Sequence, residues 1–283
     1  MPMRRVGIIP TLVTLANAYC GVLAMYKTYD GEFLVAAYLI LLAMLFDVLD
    51  GIVARLAGAE STFGAYLDSL SDVISFGAAP AFLAKVVVET NFPWHAAESG
   101  WGYHPKVLTA LTIPFALLAV VRLARYNVEH SSPEGTDKSG KGVSTFAGIP
   151  TPGAAGVIAS IVMLCYAGGE KGVVRFESLI VALPPLCFLL GAAMVSRMPY
   201  AHFGSRFLQG RREFSYLFIV VIMILVCILF PEECAAFGFI VYGLSGPVTM
   251  IKRRISGGPG PSPDEEGADL DSPKSEIDIP DGV

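Results

Sequence analysis

Charge is what this sequence has least of. Only 16% of its 283 residues are Asp, Glu, Lys or Arg, and 54% are hydrophobic, whereas a soluble globular domain carries about 25% charged residues. That balance excludes an ordinary soluble fold. Paired cysteines are missing too: Cys20, Cys165, Cys187, Cys227 and Cys234 stand singly in apolar stretches, with no CxxC and no histidine at ligand spacing. A disulfide framework and a zinc site are thereby excluded, and the thiols are expected to pack as small apolar groups. The four histidines (His95, His104, His130 and His202) are too dispersed to form a metal set. The 29 glycines and 19 prolines follow no fixed period, which excludes collagen-like repeats and suits broken or closely packed membrane helices. No internal repeat, soluble catalytic domain or nucleic-acid partner is indicated.

The formal charge of −5 conceals two regions. Residues 255–283 hold eight acids and one lysine, a net of −7, so the remaining 17 acids and 19 bases leave the body at +2. The tail is rich in Gly, Pro, Ser, Asp and Glu, cannot offset its ordering entropy, and is expected to be disordered.

Against this scarcity of charge stand eight uncharged windows: Val6–Tyr26, Phe33–Phe46, Val73–Ala84, Val107–Val121, Gly142–Gly169, Ser178–Ser196, Phe214–Pro231 and Cys234–Ile251. A membrane helix needs about 20 residues, so the sequence predicts an all-α, polytopic bundle of about eight transmembrane helices. The first window has no A-x-A-like cleavage signal and is expected to be retained as a span. Two windows are short because acids intrude. The second must run on through Asp47 and Asp50 to about Arg55, and the third must begin before Asp68 and Asp72. With the N-terminus inside, fifteen Lys and Arg fall on the cytoplasmic side and four outside, so both termini are expected in the cytoplasm. Trp94, Trp101 and Tyr103 would then lie at the outer interface, where aromatic rings are favoured.

The intruding acids form a pattern. Asp47 and Asp50 are i, i+3 and share a helix face, while Gly64, Asp68 and Asp72 are i, i+4, i+8 and make one stripe on the next helix. A short link makes these helices antiparallel neighbours, so four carboxylates converge at the cytoplasmic end of one pair. Each ionised Asp in a span costs about 2.5–3.5 kcal/mol on insertion scales, and like charges repel, so a cation must balance them. Hard carboxylate ligands without His or Cys favour Mg²⁺ or Mn²⁺. Gly51, Ala54 and Gly64 leave room for a bulky ligand along the same faces, and Arg55 offers a forked cation suited to phosphate. Metal, phosphate and a carboxylate base together describe phosphoryl or phosphodiester transfer. A cation-coupled transporter is the competing reading, since acid clusters also build ion pathways. Arg122 and Arg125, i, i+3 at the end of the fourth helix, with Lys141 in the following loop, fit either positive-inside anchoring or bidentate binding of a carboxylate or phosphate.

The segment D-x2-D-G-x2-A-R-x8-G-x3-D-x3-D, from Asp47 to Asp72, is matched at all eight specified positions. It resembles the signature of the CDP-alcohol phosphatidyltransferase family. Three further segments (68–80, Arg122-Leu-Ala-Arg125-Tyr-Asn127, and 146–152) resemble the serine-using branch of that family. The resemblance covers roughly residues 5–200. It implies a membrane core of six helices over residues 1–200, two further helices over 201–254, and no counterpart for the acidic tail. It implies transfer of the phosphatidyl group from CDP-diacylglycerol to L-serine with release of CMP, in a homodimer embedded in membrane lipid and the cytoplasmic membrane. Glycerol 3-phosphate, inositol phosphate and choline remain as alternative acceptors. By the same resemblance, Asp47, Asp50 and Asp68 hold one divalent cation, and Asp47, Asp68 and Asp72 a second where present. Asp72 is the implied general base. Gly51, Ala54 and Gly64 border the cytidine pocket, Arg55 meets the donor phosphates, and Asn17 on the first helix faces the nucleotide. Arg122, Arg125 and Lys141 are implied in binding serine or phosphate.

Overall fold

The computed structural model describes residues 8–56, 62–93, 102–131, 148–167, 176–196 and 229–255. Lys141, Cys227, Trp94, Trp101, most of the Phe214–Pro231 window and the acidic tail lie outside the described residues. Every regular element among them is helical: α1 (Ile8–Tyr29), α2 (Phe33–Leu56), α3 (Thr62–Asp72), a π-helical segment (Val73–Ala78), α4 (Ala79–Asn91), α5 (Pro105–Ser131), α6 (Thr151–Tyr166), α7 (Glu177–Val195) and α8 (Pro231–Ile255). Five stretches are long and apolar enough to cross a membrane: α1, α2, the continuous Thr62–Asn91, Pro105–Val128 and α7. As the intruding acids require, α2 continues past Asp47 and Asp50, and the third span starts before Asp68.

α1 reverses into α2 through a three-residue turn. The N–H of Glu32 bonds to the carbonyl of Lys27 at 2.9 Å, and that of Gly31 to Thr28 at 3.1 Å, with Gly31 at φ 79°. This is the left-handed helix stop that glycine adopts without a Cβ penalty. The Lys27–Glu32 ion pair spans the same turn at 3.1 Å. Ala36, Ile40 and Ala43 share one buried face of α2, and its two alanines let backbones approach closely where lipid offers no hydrophobic drive to association.

α6 holds the middle. Its 16 residues rise about 24 Å, less than the roughly 30 Å of a bilayer's hydrocarbon. It runs from the Ile149 end of the bundle to the Tyr166 end enclosed by protein: Ala154, Ala155, Ile158, Ala159 and Val162 are fully buried. Rings of Phe239 and Tyr242 from α8 fill the hollows over Gly156 and Gly153. Cys20, Cys165 and Cys187 are buried in the apolar core, as the sequence predicts. Lys85, inside the third span, pairs with Glu89 one turn on at 2.5 Å.

The polar contacts between helices divide into two ends of the bundle. At one end Asn91 Nδ2 donates to Tyr166 Oη at 2.6 Å, Tyr103 Oη to the Val181 carbonyl at 3.0 Å, and Tyr38 Oη to Glu232 at 2.5 Å. At the other end lie the residues singled out by the sequence.

Candidate active site

Three elements meet at this second end: the first half of α1, the last turns of α2, and α3 with its π-helical continuation. Helical spacing puts Asp68 and Asp72 on one stripe of α3, and Asp47 faces them from α2. One carboxylate oxygen from each of Asp47, Asp68 and Asp72 lies within 4.8 Å of the others. Asp50 stands beside this trio rather than in it. It is buried, and its Oδ2 accepts the Thr14 hydroxyl of α1. That hydroxyl also has the Pro10 carbonyl 3.0 Å away, and with one hydrogen it can serve only one acceptor fully.

Asp72 has its own partner on α1. Asn17, fully buried, donates from Nδ2 to Asp72 Oδ1 at 3.1 Å. The other end of this amide, Oδ1, has no hydrogen-bond partner among the described residues, a state that costs about 1–3 kcal/mol when buried. The backbone of Asn17 is tied as well, because the Ser75 hydroxyl donates to its carbonyl at 2.9 Å. Ser75 sits in the π-helical segment, whose closing N–H, from Ala79, reaches the Ile74 carbonyl five residues back. Such an insertion re-phases α4 relative to α3 and is common at functional sites. Gly21 permits the contact. A Cβ there would stand 2.5 Å from Ser75 Oγ and 2.7 Å from Ser75 Cα.

Beside the carboxylates the surface is open. Nothing lies within 4 Å of where a Cβ on Gly51 would project, Ala54 and Gly64 are half-buried, and Arg55 is exposed. Arg55 Nε donates to the Gly51 carbonyl at 2.9 Å, curling back along its own helix.

The two arginines of α5 reach the same end. Arg122 is half-buried, and its Nη1 donates to the Ile149 carbonyl at 2.6 Å and lies 3.5 Å from that of Met194. It thereby ties α5 to the start of α6 and the end of α7. Arg125 is exposed one turn nearer the helix end. From α5, Asn127 Nδ2 donates to Ser69 Oγ at 2.9 Å, joining α5 to the turn of α3 between the two aspartates.

Thr14, Ser75, Ser69 and Asn127 are contacts to which the sequence alone assigns no part. A signal existed for the first: Thr14, Asn17 and Gly21 are i, i+3, i+7, a polar and small stripe in an otherwise apolar helix. Ser69, Ser75 and Asn127 lie within the segments that carry the family resemblance, but no spacing marks them individually.

The donor set consists of carboxylate oxygens alone, buried or half-buried and mutually repelling, which fits a hard divalent cation and no softer metal. Asp47, Asp68 and Asp72 can therefore hold a divalent metal next to an open, glycine-lined surface. In a membrane-embedded site this is the equipment for attack on a phosphate ester.

Known proteins agree with that chemistry. A family model for CDP-alcohol phosphatidyltransferases matches residues 7–188. A Helicobacter pylori protein named CDP-diacylglycerol–serine O-phosphatidyltransferase is 27% identical over 255 residues, covering 86% of this chain and 92% of that protein. One of the same name from Methanocaldococcus jannaschii is 28% identical over 250 residues, covering 88% and 98%. The archaetidylserine synthase of Methanothermobacter thermautotrophicus is 37% identical over 154 residues, covering 54% and 56%. With more than half of its length matched and the motif's aspartates gathered at one end of a helical membrane bundle, this chain belongs to the CDP-alcohol phosphatidyltransferase family.

Proposed function

We propose that the chain transfers the phosphatidyl group of CDP-diacylglycerol to the hydroxyl of L-serine, giving phosphatidylserine and CMP. The gathering of Asp47, Asp68 and Asp72 carries the chemistry. Similarity to serine-using enzymes over nearly their whole length supports the acceptor. The core is assigned to residues 1–200, with two further helices in 201–254 and the acidic tail in 255–283. The active site and both termini face the cytoplasm, and the working unit is a homodimer.

The chain's own groups divide the work. Gly51, Ala54 and Gly64 leave the space in which the cytidine lies, with Asn17 at its border, and Arg55 meets the donor's phosphates. Asp47, Asp68 and Asp72 would hold Mg²⁺ or Mn²⁺, with Asp50 joining them where it turns from Thr14, and the ion when bound would neutralise pyrophosphate oxygens and ease departure of CMP. Asp72 takes the proton of the serine hydroxyl as that oxygen attacks the lipid-side phosphorus. The new phosphorus–oxygen bond forms as the bond to CMP breaks, and CMP carries away the electron pair. A site at the membrane edge keeps the acyl chains in lipid and the nucleotide in water.

A purified-protein assay of CMP release with a panel of alcohols tests the reading. L-Serine supports turnover well above glycerol 3-phosphate, inositol phosphate or choline. EDTA abolishes it, and Mg²⁺ or Mn²⁺ restores it. Preference for another alcohol would remove serine alone, whereas CMP release insensitive to EDTA would remove the metal-assisted mechanism.

Arg122, Arg125 and Lys141 are assigned to the carboxylate of serine or the donor phosphates. Arg125→Ala raises the KM for serine or donor with little change in kcat. Arg122→Ala does the same and also lowers the melting temperature, because its guanidinium joins α5 to the Ile149 and Met194 carbonyls. Unchanged KM values in both variants would leave these arginines as anchors only.

A further inference from the structure

We infer that Asn17 is a positioning residue for the base: through its side-chain N–H it fixes the rotamer of Asp72, so that the carboxylate's free oxygen is held for the acceptor hydroxyl. The inference rests on the reading of Asp72 as general base and adds a role distinct from contact with the nucleotide.

Four observations carry it. Asn17 is fully buried and donates to Asp72 Oδ1 at 3.1 Å. A bond to Oδ1 restrains rotation of the carboxyl group and so sets where its other oxygen lies. The amide turns its donor end to Asp72, the orientation an ionised carboxylate requires, since an amide oxygen there would set acceptor against acceptor. Its Oδ1 is left without a partner among the described residues, which a residue present for packing alone would avoid. Finally, Asn17 is itself clamped: Ser75, three residues beyond Asp72 on the same span, donates to the Asn17 carbonyl at 2.9 Å, and Gly21 lets α1 approach Ser75 closely. The two bonds run in opposite directions between the same pair of elements. They fix α1 and the Asp72 turn in register as well as in distance, which the orientation of a single carboxylate requires.

The test is a double-mutant cycle on the full-length protein in detergent or vesicles, with CMP release as readout. Asn17→Ala lowers kcat by roughly 10–100-fold, the usual range for a residue that orients a primary ligand or base, beyond any rise in the KM for CDP-diacylglycerol from its place at the nucleotide's border. In an Asp72→Asn background the same substitution has little further effect, because there is no longer a base to orient. Asn17→Asp, which replaces the donor with a second carboxylate, falls below Asn17→Ala. Melting temperatures separate these effects from misfolding.

A rise in the KM for CDP-diacylglycerol at unchanged kcat would overturn the inference and leave Asn17 a nucleotide contact only. Equal fold losses in wild-type and Asp72→Asn backgrounds would also overturn it. Near-normal turnover by Asp72→Asn itself would instead remove the base assignment on which it rests.

Discussion

Asp72→Asn lowers the rate of CMP release by about 10²–10⁴-fold, the range that a positioned general base contributes, in a protein that still folds and inserts. The substitution changes one atom's identity and no volume. Its Oδ1 still accepts the Asn17 N–H, so the α1 contact seen at 3.1 Å survives and the helix pair keeps its register. What disappears is the charge and basicity of the carboxylate. Asp47 and Asp68 remain close together and can still bind Mn²⁺, measured by loss of the free ion's paramagnetic resonance signal, though more weakly with one oxygen donor fewer. Rate and affinity thus fall by different factors. Turnover near wild type would strip Asp72 of the base role. A rate loss that tracks Mn²⁺ occupancy, and recovers fully at saturating Mn²⁺, would make Asp72 a metal ligand only.

Gly21→Ala damages both stability and turnover, although residue 21 touches no substrate in the proposed reaction. The added Cβ would fall 2.5 Å from Ser75 Oγ and 2.7 Å from Ser75 Cα. A hydroxyl can rotate away, but a backbone carbon cannot, so α1 must retreat from the π-helical segment. Overpacking of this kind costs about 1–3 kcal/mol. Retreat also lengthens the two bonds between Asn17 and the Asp72–Ser75 turn. The expected result is a lower melting temperature together with reduced CMP release. Gly238→Ala serves as the control: it too is a glycine in a helix, yet nothing lies within 4 Å of its Cβ position. Alanine is the better helix former there, so the melting temperature stays level or rises. Wild-type stability and activity in Gly21→Ala would mean that α1 does not need to lie so close.

Much of the site was legible before any fold was known, because helical spacing is a local property. Asp47 at i and Asp50 at i+3, and the Gly64, Asp68, Asp72 stripe, follow from 3.6 residues per turn once the segments are helical. The extension of α2 through its acids follows from the length a span needs. Other features were hidden for equally physical reasons. The spacing puts Asp47 and Asp50 on one face, but that face is wide, and whether a carboxylate turns toward α3 or α1 depends on which helix offers a partner. Thr14 captures Asp50, and so the fourth acid stands apart from the other three. Arg122 read as an anchor or a clamp, and nothing in its neighbours in sequence announced the carbonyls of residues 149 and 194. The π-helical segment gave no warning either, since nothing in Val-Ile-Ser-Phe-Gly-Ala distinguishes a π-helical turn from an α-helical one.

By itself, then, the sequence determined that this is a helical membrane protein with an acid-rich, oxygen-ligand centre where two adjacent spans meet. Hydropathy, spacing and charge depend only on residues near one another along the chain. Tertiary structure alone decided which acids form the trio, that α1 supplies a partner to Asp50 and another to Asp72, and that Ser75 and Gly21 hold α1 in place. Those contacts join residues 36 to 58 positions apart, and no local periodicity reports which helix faces pack together.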